Sequence, residues 1–169
     1  VIIFGILGFL FYLISSSSFQ TKLASRVTKN INSLIDGKIE IGNFILYPNG
    51  FMKLENLILF DHQSDTLFYA KNIESNLTSN NNFLKKKFSF SNSTIEDFYL
   101  NISQYRNEKE NSLVIFLNDL KEKLNLQNPE DLKISIKKLK AFNGEFKLSD
   151  LKSENLYDIE DIEFIFDKI

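Results

Sequence analysis

The residues of this chain best suited to chemistry lie together in one short segment, Asp61-His62-Gln63-Ser64-Asp65. An imidazole beside two carboxylates could transfer protons or contribute to a metal site. The chain has one histidine and no cysteine, which excludes multi-histidine metal sites, iron–sulfur clusters, thiol catalysis and disulfides. Because the segment is made of residues that favour turns, we expect no catalytic residue, no metal and no cofactor in it.

Two runs of charged residues are also explained more simply by exposure to solvent than by ligand binding. The acidic run Asp158, Glu160, Asp161 and Glu163 lacks the loop spacing of a calcium site and favours a solvated strand face. The run 85–87 is three lysines, which could contact phosphates or lipid headgroups but more simply protects a sheet edge. Twenty basic and 22 acidic residues give a net charge of −2, which predicts no nucleic-acid partner. No phosphate-loop, dinucleotide or nucleophile-elbow motif is present, so we predict that the protein is not an enzyme.

The first 14 residues, VIIFGILGFLFYLI, carry no charge. They are short for a membrane span, but the chain starts at Val, and the run resembles the outer half of a transmembrane helix cut off at its start. A secretory signal sequence is the alternative, although no A-x-A-like cleavage site follows. We predict a transmembrane anchor over residues 1–18.

A second helix is predicted directly after the anchor, within residues 19–37. Apolar residues with helical spacing form one arc, and basic residues form another. Such a helix suits an anionic membrane surface, and its apolar arc could equally cover the first strands of a domain; both can hold for one helix. The residues predicted to contact the membrane surface are Phe19, Lys22, Leu23, Arg26, Val27 and Lys29.

From Lys38 the pattern changes to alternating apolar and polar residues, which predicts strands to the end of the chain. One short helix, over residues 112–124, interrupts them. Residues 39–46 and 134–141 share the spacing apolar-x-apolar-x-x-apolar-x-apolar, with looser versions in 88–95 and 159–166, which indicates a weak repeat of antiparallel strands. We predict a mainly β fold over residues 38–169, in which an antiparallel sheet curls into an elongated hydrophobic groove.

The apolar face of such a sheet must contact something. Two helices cannot easily cover about eight strands, and an apolar trough lined by Phe, Ile and Leu could shelter phospholipid acyl chains at about 25 cal/mol per Å² buried. An ordinary dry core is the alternative. The residues predicted to line the trough are Leu54, Leu57, Leu59, Phe88, Phe90, Phe98, Leu100 and Ile102, without an indication of which alternating set faces inward.

The order of these elements resembles the start of TamB in its Bacteroidetes form, within the AsmA-like superfamily. The resemblance lies in a membrane helix, then SSFQTKLASRVTKNINSLIDGKIEIGNFIL and KLENLILFDHQSDTLFYAKNIESNL, and it extends to FYLNISQYRNE and SLVIFL. It implies the N-terminal part of a single-pass inner-membrane protein whose β-groove projects into the periplasm. It also implies phospholipid transport to the outer membrane, or protein assembly there with a BamA/TamA-type barrel. The alternative is a small anchored module that binds an envelope partner by its sheet edge and has a dry core.

Overall fold

The computed structural model describes residues 17–78, 87–123, 133–151 and 155–167. These residues form two helices and seven strands. In chain order the elements are α1 (Ser17–Asn32), β1 (Lys38–Leu46), β2 (Phe51–Phe60), β3 (Thr66–Leu77), β4 (Lys87–Gln104), α2 (Ser112–Lys123), β5 (Lys133–Ile136), β6 (Lys138–Asp150) and β7 (Asn155–Asp167).

All seven strands belong to one open sheet with the order β1-β2-β3-β4-β6-β7, in which β5 pairs with the start of β4. Short turns join β1 to β2 and β2 to β3, and the pairs β1–β2, β2–β3, β3–β4 and β6–β7 are antiparallel. At the first turn Gly50 has a φ of 86°, and it follows Pro48-Asn49. The predicted fold class is confirmed at this level: the described part of the chain is mainly β and mostly antiparallel, and it contains two helices.

Two pairings depart from the predicted antiparallel order, because β5 and β6 both run parallel to β4. The segment between β4 and β5 contains α2, and a crossover of this length is what parallel neighbours require. β5 and β6 follow one another along β4 with a break at Lys137, whose amide donates to the Phe90 carbonyl at 2.8 Å. The helix was predicted, but its consequence for strand direction was not.

The two helices contact one corner of the sheet. Ile35, just after α1, packs with Leu67 of β3 and Phe116 of α2 in a buried cluster. Asp119 of α2 accepts a hydrogen bond from the Asp36 amide at 2.7 Å, which links α2 to the segment that follows α1. Partly buried residues complete this cluster: Ile31, Ile39, Leu59, Leu113 and Leu120.

The predicted anchor, residues 1–18, lies outside the described residues except for Ser17 and Ser18, which begin α1. Of the helices within the described ranges, neither is long and apolar enough to cross a membrane. The predicted amphipathic helix is present as α1, and β1 begins at the predicted boundary, Lys38.

Candidate functional site

One face of the sheet carries apolar side chains in three rows that cross six strands and in a fourth row that is interrupted by Ser75 and Ser93, which are hydrogen-bonded to each other at 2.7 Å. We call this face the apolar face. Residues directly opposite one another on neighbouring strands project to the same side, so the strand register defines the rows. From the helix-covered end, the rows are Ile39-Leu59-Phe68-Leu100-Phe146-Ile159, Ile41-Leu57-Ala70-Phe98-Gly144-Ile162, Phe44-Leu54-Ile73-Ile95-Ala141-Phe164 and Leu46-Met52-Ser75-Ser93-Leu139-Phe166.

The structure brings five of the predicted lining residues together in the first three rows: Leu54, Leu57, Leu59, Phe98 and Leu100. Ile102 lies opposite Leu148 just beyond the first row. Phe90 lies opposite Leu77, near the other end of the sheet. The backbone of Phe88 pairs with that of Ile134, and its side chain lies outside the described part.

Sequence reasoning missed most of the apolar face, because it did not assign residues of β1, β3, β6 and β7 to it. Phe68 and Ile73 of β3 are central members of their rows. On the last strand, the ring of Phe164 lies 5.9 Å from that of Phe98 and 5.1 Å from that of Phe166, measured between centroids. The alternation of β7 was visible in the sequence, but its position beside β6 depends on long-range pairing.

The opposite face carries a band of mostly polar residues, which we call the polar seam. In β1, β2, β3, β4 and β6 two consecutive residues lie between the second and third rows, as in Leu54-Glu55-Asn56-Leu57. In β7 the corresponding pair, Glu160-Asp161, lies between the first and second rows. In β2, β4, β6 and β7 the second of the two has a positive φ, between 51° and 55°: Asn56, Asp97, Asn143 and Asp161. A residue in this conformation shifts the side-chain alternation, so the apolar set stays on one face along the whole strand.

Side chains connect the polar seam from β1 to β6. Asn43 donates to Glu55 at 3.0 Å, and Tyr69 donates to Asn56 at 3.3 Å. Asp97 is the centre of the network, since it accepts hydrogen bonds from Lys71 at 2.8 Å and, in β6, from Asn143 at 3.0 Å. The hydrogen bond from Lys71 is the main cause that lowers the pKa of Asp97, and the bond from Asn143 is the second cause. The two-residue gap in the predicted repeat was the sequence signal of this seam.

Within the described residues, helices cover the apolar face at one corner only. The helices pack on Ile39 and Leu59 at the β1–β2 end of the first row. Farther along, Ala70, Phe98 and Ala141 are buried only by neighbouring side chains of the same sheet, because no described helix packs on their cluster. The ring of Phe98 lies directly over Gly144, where a Cβ atom would come within 2.0 Å of it. At the last strand, Ile159 and Phe166 are 52% and 51% exposed.

The predicted membrane-contact residues of α1 are exposed wherever their side chains are described. Lys22, Arg26 and Lys29 are exposed, and so are Leu23 and Val27, at 52% and 51%. The side chain of Phe19 lies outside the described part. The apolar arc is therefore divided, because Ile31 and Ile35 pack in the core while Leu23 and Val27 are exposed.

The polar side of α1 lies against the edge of β1 that does not pair with β2. The side-chain amide of Gln20 donates to the backbone carbonyl of Leu46 at 2.8 Å and accepts from the backbone N–H of the same residue. Asn32 makes the same pair of bonds with Ile39, both at 2.8 Å. Thr21 accepts from the Phe44 amide at 3.2 Å. These side chains satisfy backbone groups that a neighbouring strand would otherwise bond, and sequence reasoning did not predict this function of the helix.

The segment Asp61–Asp65 forms the β2–β3 turn. Asp61 is buried, and one of its oxygens accepts from the amides of Gln63 and Asp65 at 2.9 and 3.0 Å. The Tyr105 hydroxyl donates to both Asp61 and Asp65 at 2.8 Å. Burial is the main cause that raises the pKa of this phenol, and the two hydrogen bonds raise it further.

His62 is bonded to a residue far along the chain rather than to either aspartate. Its Nε2 lies 2.8 Å from Glu108, in the segment that leads to α2. In the described ranges, no three His, Asp or Glu side chains are arranged to hold a metal ion. The turn interpretation is confirmed, since this segment connects two strands and is fixed to the loop after β4. The expectation that the segment has no catalytic residue stays a prediction.

Comparison with known proteins returned no match to a family model, to a curated protein or to a solved structure.

Proposed function

We propose that the apolar face binds phospholipid acyl chains, and that the protein guides lipid between the membranes of a bacterial envelope or supports outer-membrane protein assembly. The observation that carries the proposal is the continuity of the first three apolar rows across six strands, with helical cover at one corner only within the described residues. Acyl chains lying along the rows would remove apolar surface from water at about 25 cal/mol per Å².

The polar seam supports the proposal by fixing which face is apolar. Without the left-handed residues the alternation would move apolar side chains to the opposite face partway along β2, β4, β6 and β7. The binding mode is passive: hydrocarbon lies against the rows, and headgroups remain at the solvated margin. In this proposal residues 1–18 anchor the chain in the inner membrane and the sheet lies in the periplasm, where it acts with a BamA/TamA-type barrel.

Photo-crosslinking along β4 tests the proposal. A photoreactive amino acid replaces Ile95, Phe98, Leu100 or Ile102, all of them on the apolar face, in the full chain expressed in a Gram-negative host. We expect phospholipid adducts at these positions, including the three-residue step from 95 to 98 that the seam imposes. Mass spectrometry of the purified protein identifies the adducts.

Tyr99 and Asn101, on the opposite face of the same strand, are the matched controls and should give no lipid adduct. Equal labelling on both faces, or none on either, would rule out the apolar face as a lipid site.

The variant Phe146→Glu distinguishes lipid binding on the apolar face from a dry core. With lipid as the occupant, this variant keeps its circular dichroism spectrum and loses the adducts at Leu100; with a dry core it unfolds.

A further inference from the structure

The opposite face of the sheet has three depressions that follow one another along β4 and β6, and together we call them the polar groove. Their volumes are about 450, 410 and 470 Å³, in order from the polar seam toward the ends of the two strands. Tyr99 lines the first and the second, and Lys147 and Ser149 line the second and the third, so the depressions adjoin. Along β6 the groove extends from Asn143 to Asp150, a distance of about 23 Å for a strand.

The base of the polar groove is formed by the parallel pair of β4 and β6. Asn101 lies opposite Lys147, and Ser103 lies opposite Ser149. Along this stretch β6 pairs on both sides, with β4 and with β7, so its backbone groups are bonded within the sheet. A ligand that lies over β6 therefore contacts side chains rather than a strand edge. Because β6 lies inside the sheet, this holds whatever pairs with the outer edge of β7.

Two tyrosine side chains lie at the seam end of the polar groove. Tyr69 of β3 is directly opposite Tyr99 of β4, and both are half-buried. Burial is the main cause that raises the pKa of Tyr99, and nearby carboxylates raise it further. The phenol therefore keeps its proton and can donate a hydrogen bond, while the ring offers an apolar surface.

The polar groups of the groove include both donors and acceptors. Among the described residues, the Tyr99 hydroxyl, the Lys147 ammonium and the Ser149 hydroxyl have no hydrogen-bond partner. A lysine only donates, a serine or tyrosine hydroxyl can do both, and the carboxylate of Asp65, in the same depression, only accepts. A ligand must therefore donate and accept at closely spaced positions, as the hydroxyl groups of a sugar do.

Charge restricts the ligand further. The depression next to the seam opposes nucleic acid and other polyanions, because four carboxylates line it: Asp97, Glu145, Glu160 and Asp161. At the other end of the groove a polycation would meet Arg106 and Lys147. In the middle depression the charges of Asp65 and Lys147 balance. An uncharged polar chain suits the whole groove best.

We propose that the polar groove binds a linear, uncharged oligosaccharide. The apolar faces of its sugar rings pack against Tyr69 and Tyr99, and its hydroxyl groups bond the side chains of Lys147 and Ser149. A concave site with a few placed polar groups is typical of small-molecule recognition, and three adjoining depressions suit several sugar units in a row. The inference does not depend on lipid binding, because the groove and the apolar face lie on opposite sides of the sheet.

Two neutral oligosaccharides are the probes: chitohexaose, a linear chain of N-acetylglucosamine, and cellohexaose, a linear chain of glucose. We expect saturable binding to the full chain by isothermal titration calorimetry, and binding of one probe alone would identify the sugar. Tyr99→Ala should weaken binding by about tenfold or more, which corresponds to about 1.4 kcal/mol. The matched control, Tyr157→Ala, removes the same ring from the apolar face and should bind like the native chain. No saturable binding of either probe would overturn the proposal.

A second variant keeps the test valid if Tyr99→Ala unfolds. Lys147→Met retains the length of the side chain but removes its donor group, so it should keep the native circular dichroism spectrum and weaken binding by about fivefold. Native affinity in both variants would contradict the proposal. A hexasaccharide of heparin, which is a polyanion, should not bind, and heparin binding as tight as that of the neutral chains would also overturn it. So would displacement of the bound sugar by a peptide of alternating serine and asparagine, because the groove would then accept extended peptides.

Discussion

Four residues of the polar seam hold a backbone conformation that most amino acids avoid. Asn56, Asp97, Asn143 and Asp161 all have a φ near +53°. Asn and Asp tolerate this region because their short polar side chains form local hydrogen bonds, whereas a β-branched residue there is strained. The choice of residue type at these four positions therefore follows from backbone geometry, and the hydrogen bonds of the seam come in addition.

Substitutions at Asn56 should reveal the backbone requirement. We expect Asn56→Gly to change the free energy of unfolding by less than about 0.5 kcal/mol, and Asn56→Val to lower it by about 1–2 kcal/mol, because only valine is strained at this φ. Asn72, which lies in the seam on β3 without a positive φ, is the matched control, and Asn72→Val should be close to neutral. Urea unfolding measures all three, and equal effects of the two valine variants would contradict the prediction.

Tyr105 should make the stability of the fold depend on alkaline pH. Its pKa is raised by burial and by the bonds that it donates to Asp61 and Asp65. The folded state therefore retains the phenol proton above about pH 10, where an unfolded tyrosine loses it. The stabilisation is complete below that pH and is lost as the pH rises through the raised value.

We therefore expect the free energy of unfolding to fall more steeply above pH 10 in the native chain than in Tyr105→Phe. At neutral pH the variant should be less stable by about 1–2 kcal/mol, because the buried Asp61 loses a donor. Tyr157→Phe, at an exposed position, is the control and should retain the native profile. Parallel pH profiles for the native chain and Tyr105→Phe would show that the phenol does not couple to folding.

At the scale of elements, local pattern predicted most of what the structure shows. The strands predicted from Lys38 onward and the helix predicted over 112–124 are present, because period-two and helical spacing report directly on which residues share a face. The function of Gln20 and Asn32 could not be predicted in the same way, since each bonds a backbone that folding brings to it. The bond between His62 and Glu108 was missed for the same reason.

The exposed part of α1 leads to a prediction about the membrane. Leu23 and Val27 face away from the sheet beside Lys22, Arg26 and Lys29, as in helices that lie in an anionic interface. Because the native chain has no cysteine, Val27→Cys can carry a single environment-sensitive fluorophore. We expect its emission to shift to the blue with vesicles of phosphatidylglycerol and phosphatidylethanolamine, and to shift less with phosphatidylcholine alone.

The control for this experiment is the same fluorophore on Glu122→Cys, at an exposed position of α2, which should not respond. Replacing Lys22 and Arg26 by glutamine should weaken the blue shift at position 27, since each basic residue contributes about 1 kcal/mol near an anionic surface. An unchanged emission at position 27 with anionic vesicles would show that this face of α1 does not contact lipid.

For the whole molecule, the apolar face depends on the parallel pairing of β4 with β6. In this register Ile95 lies opposite Ala141, and Phe98 lies opposite Gly144, so the rows continue from β4 to the last two strands. The seam positions of the two strands also coincide, which allows Asn143 to bond Asp97. Strand direction depends on a crossover of many residues, and for this reason the local pattern of the sequence did not reveal it.

Paired disulfides should establish this register. Thr94 lies opposite Lys140, and Asn101 lies opposite Lys147. Neighbouring strands lie about 4.8 Å apart, within the range of Cα separations that a disulfide spans. We expect a variant with cysteine at all four positions to form the links 94–140 and 101–147 on mild oxidation, as identified by mass spectrometry of proteolytic peptides. An antiparallel pair of the same strands would instead link 94 with 147 and 101 with 140, and peptides of that kind would show that the apolar rows end at β4.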